Sequence, residues 1–211
     1  MDCLSTAPAS TRQERRRRET ADRIAEAAAA LFGERGVEAT TVADVCERAD
    51  VARQTFFNHF GSKPELVREL ARRGHDFFVE AIEAAIRHPG NTGERIAQLF
   101  TAIHVAAASV GPMHQDLVSA TLAATYEADD PADIRGMHRA MEKLIRRGRA
   151  AGDVSRRHAV EDQAVLVLGA LHELQVTWTH QSDFPIAERS ARVARLLADA
   201  LAPRAGERKR G

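Results

Sequence analysis

The sequence predicts an all-α protein of about nine helices. Alternating Val, Ile and Thr runs bounded by tight turns, which are typical of strands, do not occur, whereas helix signals recur from end to end. Pro89-Gly90 and Gly111-Pro112 interrupt the helical pattern, and Asp130-Pro131 is a strong helix start. We therefore expect an N-terminal unit of three helices followed by a larger helical body.

Composition does not identify the class of protein, but it limits the possible size of the core, the source of any nucleic-acid affinity and the cellular location. The 211 residues can bury a proper core in one or two domains. Lys+Arg and Asp+Glu both number 30, so any affinity for nucleic acid must come from local placement of charge. The two cysteines, Cys3 and Cys46, are not expected to form a structural disulfide. We also expect neither a membrane-spanning segment nor a leader, because no apolar run of the required length or pattern is evident. We expect a cytoplasmic protein.

The segment from Thr41 to Leu66 is the most informative. Thr41 is an N-cap residue, and Asp44 three residues later can return a hydrogen bond to it. A turn at 49–51 follows, where Asp50 can adopt a left-handed conformation. In the next helix, predicted over about 52–60, Phe56 and Phe60 are four residues apart and face inward. This pattern predicts a helix-turn-helix in which the first helix braces the second.

The second helix presents a polar outer face suited to DNA. Arginine pairs bidentately with guanine, glutamine with adenine, and a threonine or phenylalanine can contact a thymine methyl group. The alternative is that this face is only solvated and has no binding function, since helix pairs with polar exteriors are common in all-helical proteins. The candidate side chains are Arg53, Gln54, Thr55, Phe57, Asn58 and His59.

A third helix is predicted to open at Ser62-Lys63-Pro64-Glu65. Ser62 can cap it, Glu65 can complete a capping box, and proline is tolerated in the first turn. Lys63 would then lie at a helix N-terminus, where backbone donors and the helix dipole also favour a phosphate. We predict that Lys63 contacts the DNA backbone.

These motifs resemble the TetR family of bacterial transcription regulators. The resemblance lies in ALFGERG at 30–36, TTV at 40–42 and TFFNHFGSKPEL at 55–66, and it covers roughly the first third of the chain. It implies that Thr41 and Lys63 contact phosphates, that Arg53, Gln54 and Thr55 read base edges, and that Phe57, Asn58 and His59 contact groove or phosphate. Ala52 departs from the family's frequent capping serine, and Phe57 replaces a common tyrosine.

A run of arginines precedes this unit. Residues 12–18 hold five arginines and one glutamate, and they follow a short tail with little to bury. We predict a flexible basic arm over 1–18 that lies along phosphates or enters a minor groove. The alternative is a solvated first turn of helix one. The predicted domains are then DNA binding at 19–65, effector binding and dimerisation at 66–203, and a tail at 204–211.

The last two helices predict a homodimer. Residues 164–178 are apolar around most of the helix circumference, and the final helix, at about 185–201, has a strong apolar side. A four-helix bundle formed from residues 161–201 and their symmetry mate would bury both. Two reading helices about one DNA turn apart, roughly 34 Å, would then read a near-palindrome. The alternative is an ordinary monomer core.

The body between these parts has room for an effector pocket. The resemblance implies such a site, and we expect its ligand to be small and largely apolar with one or two polar groups. The alternative for each residue is plain core. Neither a metal nor a cofactor is expected, because no two of the nine histidines are spaced i, i+4. The candidate pocket residues are Phe78, His104, Met113, Met137, His172 and Trp178.

These expectations combine into one function. The chain is predicted to be a homodimeric, sequence-specific transcriptional repressor that a small effector releases from a palindromic DNA operator. One alternative is an architectural DNA-binding protein without small-molecule control. The other is a helical enzyme, although the sequence shows no glycine-rich phosphate loop, nucleophile elbow or His-Glu-x-x-His motif.

Overall fold

The computed structural model describes residues 11–109, 132–181 and 183–204. Within these ranges, helices are joined by turns and loops, and no strand occurs. Eight helices lie in these ranges, and the predicted fold class is confirmed. None of the eight is long and apolar enough to cross a membrane. The helices are α1 (Arg12–Arg35), α2 (Val42–Arg48), α3 (Arg53–Phe60), α4 (Lys63–Arg87), α5 (Thr92–Ser109), α6 (Ala132–Ala151), α7 (Val160–His180) and α8 (Ile186–Leu201).

Helix α1 begins earlier than we predicted. Thr11 and Glu14 form a full capping box: Glu14 N–H donates to the Thr11 hydroxyl, and Thr11 N–H donates to the Glu14 carboxylate. This cap starts the helix at Arg12, and arginine is a good helix former. Residues 12–18 are therefore two turns of α1 and not part of a flexible arm. Residues 1–10 of the predicted arm lie outside the described ranges.

The first three helices and the start of α4 share a compact core, which we call the head. Ile24, Phe32, Phe56 and Leu66 are fully buried there, and Phe60 is nearly so. Phe56 and Phe60 lie on one face of α3, with ring centroids 5.9 Å apart. Two buried aromatic side chains anchor this eight-residue helix, which is too short to be stable by itself.

Helices α4 to α8 form a second core, the body. Within it α5 packs mainly on α8, α4 on α6, and α6 on α7. Helix α4 belongs to both cores, because Leu66 is buried in the head and Ile86 in the body. The main buried side chains of the body are Ile82, Ile86, Ile96, Leu99, Phe100, Met141, Leu144, Ile145, Val167, Leu171 and Leu197.

Two large apolar side chains are exposed beside the buried faces of their helices. Phe77 on α4 is exposed because the buried face of this helix shifts round its circumference between the two cores. Leu196 on α8 is 66% exposed, while the adjacent Leu197 is buried. Consecutive residues on a helix point about 100° apart, so only one of the two can face the body.

Two helix ends of the body have clear local causes. Asn91 and Glu94 bond reciprocally before α5, at 2.8 and 3.0 Å. Gly152 takes a φ of 76° where α6 ends. The interruption predicted at Gly111-Pro112 lies outside the described residues.

Candidate nucleic-acid interface

Helix α2 begins at the capping box that the sequence predicts. Thr41 N–H donates to Asp44 Oδ2 at 2.8 Å, and Asp44 N–H donates to Thr41 Oγ1 at 3.2 Å. The Thr41 hydroxyl also donates to Asp44 Oδ2, at 2.7 Å, and Arg35 lies 3.2 Å from the same oxygen. The backbone and hydroxyl bonds from Thr41, supported by Arg35, hold the pKa of Asp44 below its usual value. Both Thr41 donors are thus bonded to Asp44, and a phosphate would have to compete for them.

The turn between α2 and α3 also follows its sequence signal. Asp50 has a φ of 51°, and Val51 N–H donates to Cys46 O at 3.0 Å. Ala52 provides no side-chain cap to α3. The start of α3 is therefore held by packing and not by a capping side chain.

Helix α3 buries Phe56 and Phe60 and turns its other faces outward. Phe57 is 47% exposed, and its ring packs edge-on against Phe56 with centroids 5.4 Å apart. Gln54 Nε2 donates to Asn58 Oδ1 at 3.0 Å. The predicted reading residues share this helix: Arg53, Gln54, Phe57 and Asn58 are exposed, and Thr55 and His59 are half-buried.

The Gln54–Asn58 bond bears on how these side chains can read DNA. An amide group offers one carbonyl and two N–H donors, so the bond leaves Gln54 a carbonyl and an N–H. Those two groups suffice for bidentate pairing with adenine. The bond also restrains the Gln54 side chain, which lowers the entropy that the side chain would lose on binding.

His59 lies at the C-terminal end of α3. Burial lowers the pKa of its imidazole, and the positive charge of Arg17 lowers it further. His59 is therefore neutral at neutral pH, with one ring nitrogen as donor and the other as acceptor. Arg17 was predicted only as part of the basic arm and not as a neighbour of the reading helix.

The structure changes the interpretation of Lys63. Its ammonium donates to Val37 O at 3.0 Å and Thr40 O at 3.2 Å. Thr40 is itself buried, and its hydroxyl donates to Gly36 O at 2.8 Å. Lys63 thus ties the start of α4 to the loop before α2 and uses two of its three N–H donors internally. Only one donor is left for the phosphate contact that we predicted.

The predicted capping box at the start of α4 is half formed. Glu65 N–H donates to Ser62 Oγ at 3.2 Å, as expected. The N–H of Ser62, however, donates to Phe60 O at 2.6 Å in the tight turn after α3. The Glu65 carboxylate instead lies 3.6 Å from Arg68.

A cleft of about 550 Å³ opens between the start of α1, the end of α3 and the start of α4. It brings α1 side chains beside His59, which belongs to the predicted reading helix. Sequence reasoning missed it because its walls lie up to 55 residues apart. The lining residues are Glu14, Arg17, Arg18, Ala21, His59, Phe60, Glu65 and Glu69.

The predicted effector residues are spread over the body. Phe78 packs on the main body core, whereas Trp178 belongs to a separate cluster with Ala107 and Ile186. His104 is half-buried, with Nδ1 3.1 Å from Phe100 O. Met137 and His172 are half-buried, and Met113 lies outside the described residues. Among the described residues, no group of three or more His, Cys, Asp or Glu side chains is placed to hold a metal ion.

Residues 24–70, which contain the helix-turn-helix, match the family model of bacterial regulatory proteins of the tetR family. The head therefore contains the DNA-binding region of the TetR family. The matched span runs from the buried stripe of α1 to the first turns of α4. It therefore takes in most of the head, including the predicted DNA contacts from Thr41 to Lys63.

Curated transcription regulators also match part of the chain. The HTH-type transcriptional repressor KstR2 of Mycobacterium tuberculosis is 38% identical over 79 residues, which are 37% of this chain and 40% of KstR2. The HTH-type transcriptional regulator TtgR of Pseudomonas putida is 42% identical over 69 residues, 31% of this chain and 33% of TtgR. The chain thus matches well under half the length of these relatives.

Solved structures extend the similarity in fold to most of the chain. A TetR-family regulator from Pectobacterium atrosepticum has a TM-score of 0.74 at 23% identity and covers 92% of this chain and 98% of its own. FadR from Bacillus subtilis, solved in complex with stearoyl-CoA, has a TM-score of 0.65 at 18% identity and covers 85% and 98%. The head and body together therefore have the fold of TetR-type regulators.

Proposed function

We propose that this chain is a homodimeric transcriptional regulator that binds a near-palindromic DNA operator and is released from it by a small effector. A repressor is the simplest form, because steric blocking of a promoter needs no further surface. Similarity to the repressor KstR2 supports this choice.

The exposed face of α3 carries the proposal. Phe56 and Phe60 fix the helix to the head, so Arg53, Gln54, Phe57 and Asn58 project outward from a rigid support. An eight-residue helix is long enough to place such side chains against several successive base pairs in a major groove. Arg53 would read guanine, Gln54 adenine, and Phe57 a thymine methyl group.

The remaining predicted contacts take supporting roles in this proposal. Thr55 and His59 would contact the edges of the groove, and Thr41 would contact a phosphate by sharing its donors with Asp44. Lys63 would hold the loop before α2 in place and offer its remaining N–H to a phosphate. All of these residues are on α3 or at the N-termini of α2 and α4.

Exposed apolar side chains on α7 and α8 support the dimer. Val165 and Leu166 are 55% and 49% exposed, and Leu196 on α8 is 66% exposed. Gly169 shares a face of α7 with Val165 and Leu166, and a Cβ built on it meets nothing within 4 Å, so another backbone could approach closely. A second copy of the chain would remove this apolar surface from water.

An effector would act through the body. Helix α4 contributes side chains to both cores, so a ligand that shifts α4 in the body would also shift the head. We expect a small, largely apolar effector, with Phe78, His104, Met113, Met137, His172 and Trp178 as candidate contacts. Candidate compounds can be screened by the fluorescence of Trp178, the single tryptophan. Tight binding of a strongly charged effector would contradict this expectation.

Selection of bound fragments from random duplex DNA tests the proposal. We expect enrichment of one inverted repeat whose half-sites are about one helical turn apart, preferred over unrelated DNA by roughly 10³-fold or more. An architectural protein would instead bind unrelated duplexes alike, with a steep salt dependence. Failure to enrich an inverted repeat would overturn the proposed function.

A further inference from the structure

The first two turns of α1 extend beyond the core of the head. The stripe that buries Ala28 and Ile24 continues toward the N-terminus through Ala21, Arg17 and Glu14, at spacings of three and four residues. Beyond Ala21 this inward stripe no longer faces apolar core. It faces the open cleft beside the end of α3.

Two arginines project into that cleft. Arg17 and Arg18 line it together with His59, the last of the predicted reading residues. Arg17 and His59 line the same cleft, and the positive charge of Arg17 adds to burial in lowering the pKa of the His59 imidazole. The arginines therefore lie beside the C-terminal end of the reading helix.

The acidic residues of the cleft are engaged with other groups. Glu14 accepts the Thr11 N–H at 2.8 Å, and Glu65 lies 3.6 Å from Arg68. Glu69 pairs with Arg72 and Arg73, and their hydrogen bonds hold its pKa below the usual value.

Arg17 and Arg18 are consequently available to a partner. Within the described part of the chain, neither has a carboxylate at ion-pairing distance, whereas their neighbour Arg15 lies 3.9 Å from Glu19. Both side chains are exposed, and the capping box fixes the helix that carries them. An anion that binds here would be bound by the arginine side chains, because the Thr11–Glu14 capping box already occupies the N-terminus of the helix.

We propose that Arg17 and Arg18 form a second DNA-contact surface, which binds backbone phosphates next to the bases that α3 reads. This inference rests on the proposed DNA-binding function. A chain with no net charge has no global attraction to DNA, so a local pair of arginines supplies affinity that is independent of sequence. Arginine suits the role because its guanidinium can bond a phosphate bidentately. A helical support also loses less entropy on binding than a disordered arm would.

The salt dependence of operator binding tests this surface in the full-length protein. Each phosphate contact contributes about −0.9 to the slope of log K against log salt concentration on duplex DNA. We expect the double variant R17A/R18A to make the slope shallower by about 1 to 2 and to weaken binding to all duplexes alike. Its base preferences in a random-DNA selection should equal those of the wild type.

Two control variants distinguish the effect of where the arginines lie from the effect of the total positive charge. R12A/R16A removes the same charge from the other side of the same two turns, outside the cleft, and should change the slope less than R17A/R18A does. R17K/R18K keeps the charge and should keep most of the slope. Circular dichroism checks that each variant retains its helices and its unfolding midpoint.

The outcomes distinguish the two proposals. A wild type that selects an inverted repeat while R17A/R18A keeps the full slope would overturn the second surface and leave the regulator proposal intact. Equal loss of slope in R12A/R16A and R17A/R18A would also overturn it, because charge alone would then explain the effect. A wild type that binds no DNA would overturn both.

Discussion

Helices α3 and α7 each leave one face outside the cores of the monomer, and the two faces differ in chemistry. The free face of α3 is polar apart from Phe57, whereas that of α7 contains Val165 and Leu166. A polar face with a few defined donors suits nucleic acid, in which base edges present fixed hydrogen-bond patterns. An apolar face suits a second protein surface, because its burial releases water. The contrast supports the proposal that α3 contacts DNA and that α7 contacts a second copy of the chain.

The support of α3 is the first part of this comparison to test. Phe56→Ala should destabilise the head by about 3–5 kcal/mol, because it removes a fully buried aromatic side chain. Chemical denaturation monitored by circular dichroism, together with DNA binding, would measure the loss. Phe57→Ala is the matched control: it should leave stability nearly unchanged while it weakens DNA binding. Equal destabilisation by the two variants would show that α3 is not anchored as described.

The apolar face of α7 is tested by introducing charge. Leu166→Glu should convert the dimer to monomers and reduce operator affinity by about 10²-fold or more, because linking two binding modules raises avidity by about 10²–10⁴-fold. Analytical ultracentrifugation and binding to a two-half-site duplex are the measurements. Val105→Glu, at an exposed apolar position on α5, should leave the dimer intact. A dimeric Leu166→Glu variant would place the interface elsewhere.

Lys63 joins the start of α4 to the loop before α2, and its replacement should have an intermediate effect on stability and DNA binding. Lys63→Met keeps much of the side-chain length but leaves the Val37 and Thr40 carbonyls without their donor. Hydrogen bonds to charged groups contribute about 1.5–3 kcal/mol, so the head should be destabilised and all duplexes should bind more weakly to a similar degree. Lys63→Arg should restore part of the loss. Unchanged stability with weakened DNA binding would show that the ammonium acts on phosphate alone.

Replacement of Asp44 should have the smallest effect on stability, and this effect depends on pH. The pKa of Asp44 is lower in the folded protein than in the unfolded chain. Its contribution to folding stability is therefore fully present above the unfolded pKa of about 3.9, and it is lost as the pH falls through the lower pKa of the folded state. The stability of the head should therefore decrease in this acid range. Asp44→Asn should show a shallower decrease over the same range in acid-denaturation curves. Identical curves would mean that the Thr41–Asp44 capping box does not contribute to the pH dependence.

The sequence predicts those parts of the head that depend on neighbouring residues. The Thr41 cap, the left-handed Asp50 and the uncapped start of α3 each depend on residues within about four positions, and each is present. The inward positions of Phe56 and Phe60 follow from helical periodicity alone.

Features that depend on distant residues were not predictable in the same way. Lys63 bonds to carbonyls 23 and 26 residues away, so its local signal suggested a free ammonium. The cleft depends on how far α1 extends past the head, and the arginine run alone fitted an arm or a helix equally well. Phe77 is exposed because α4 changes its packing partner along its length. These outcomes are set by tertiary packing.

Parallel selections from random DNA with the wild type and with Arg53→Ala test most directly whether α3 reads the operator. We expect both proteins to enrich the same inverted repeat, with preference at one base pair per half-site relaxed in the variant. The loss at that base pair should be about 1–3 kcal/mol if the contact is bidentate. Identical base preferences in the two selections would contradict the assignment of α3 as the reading helix.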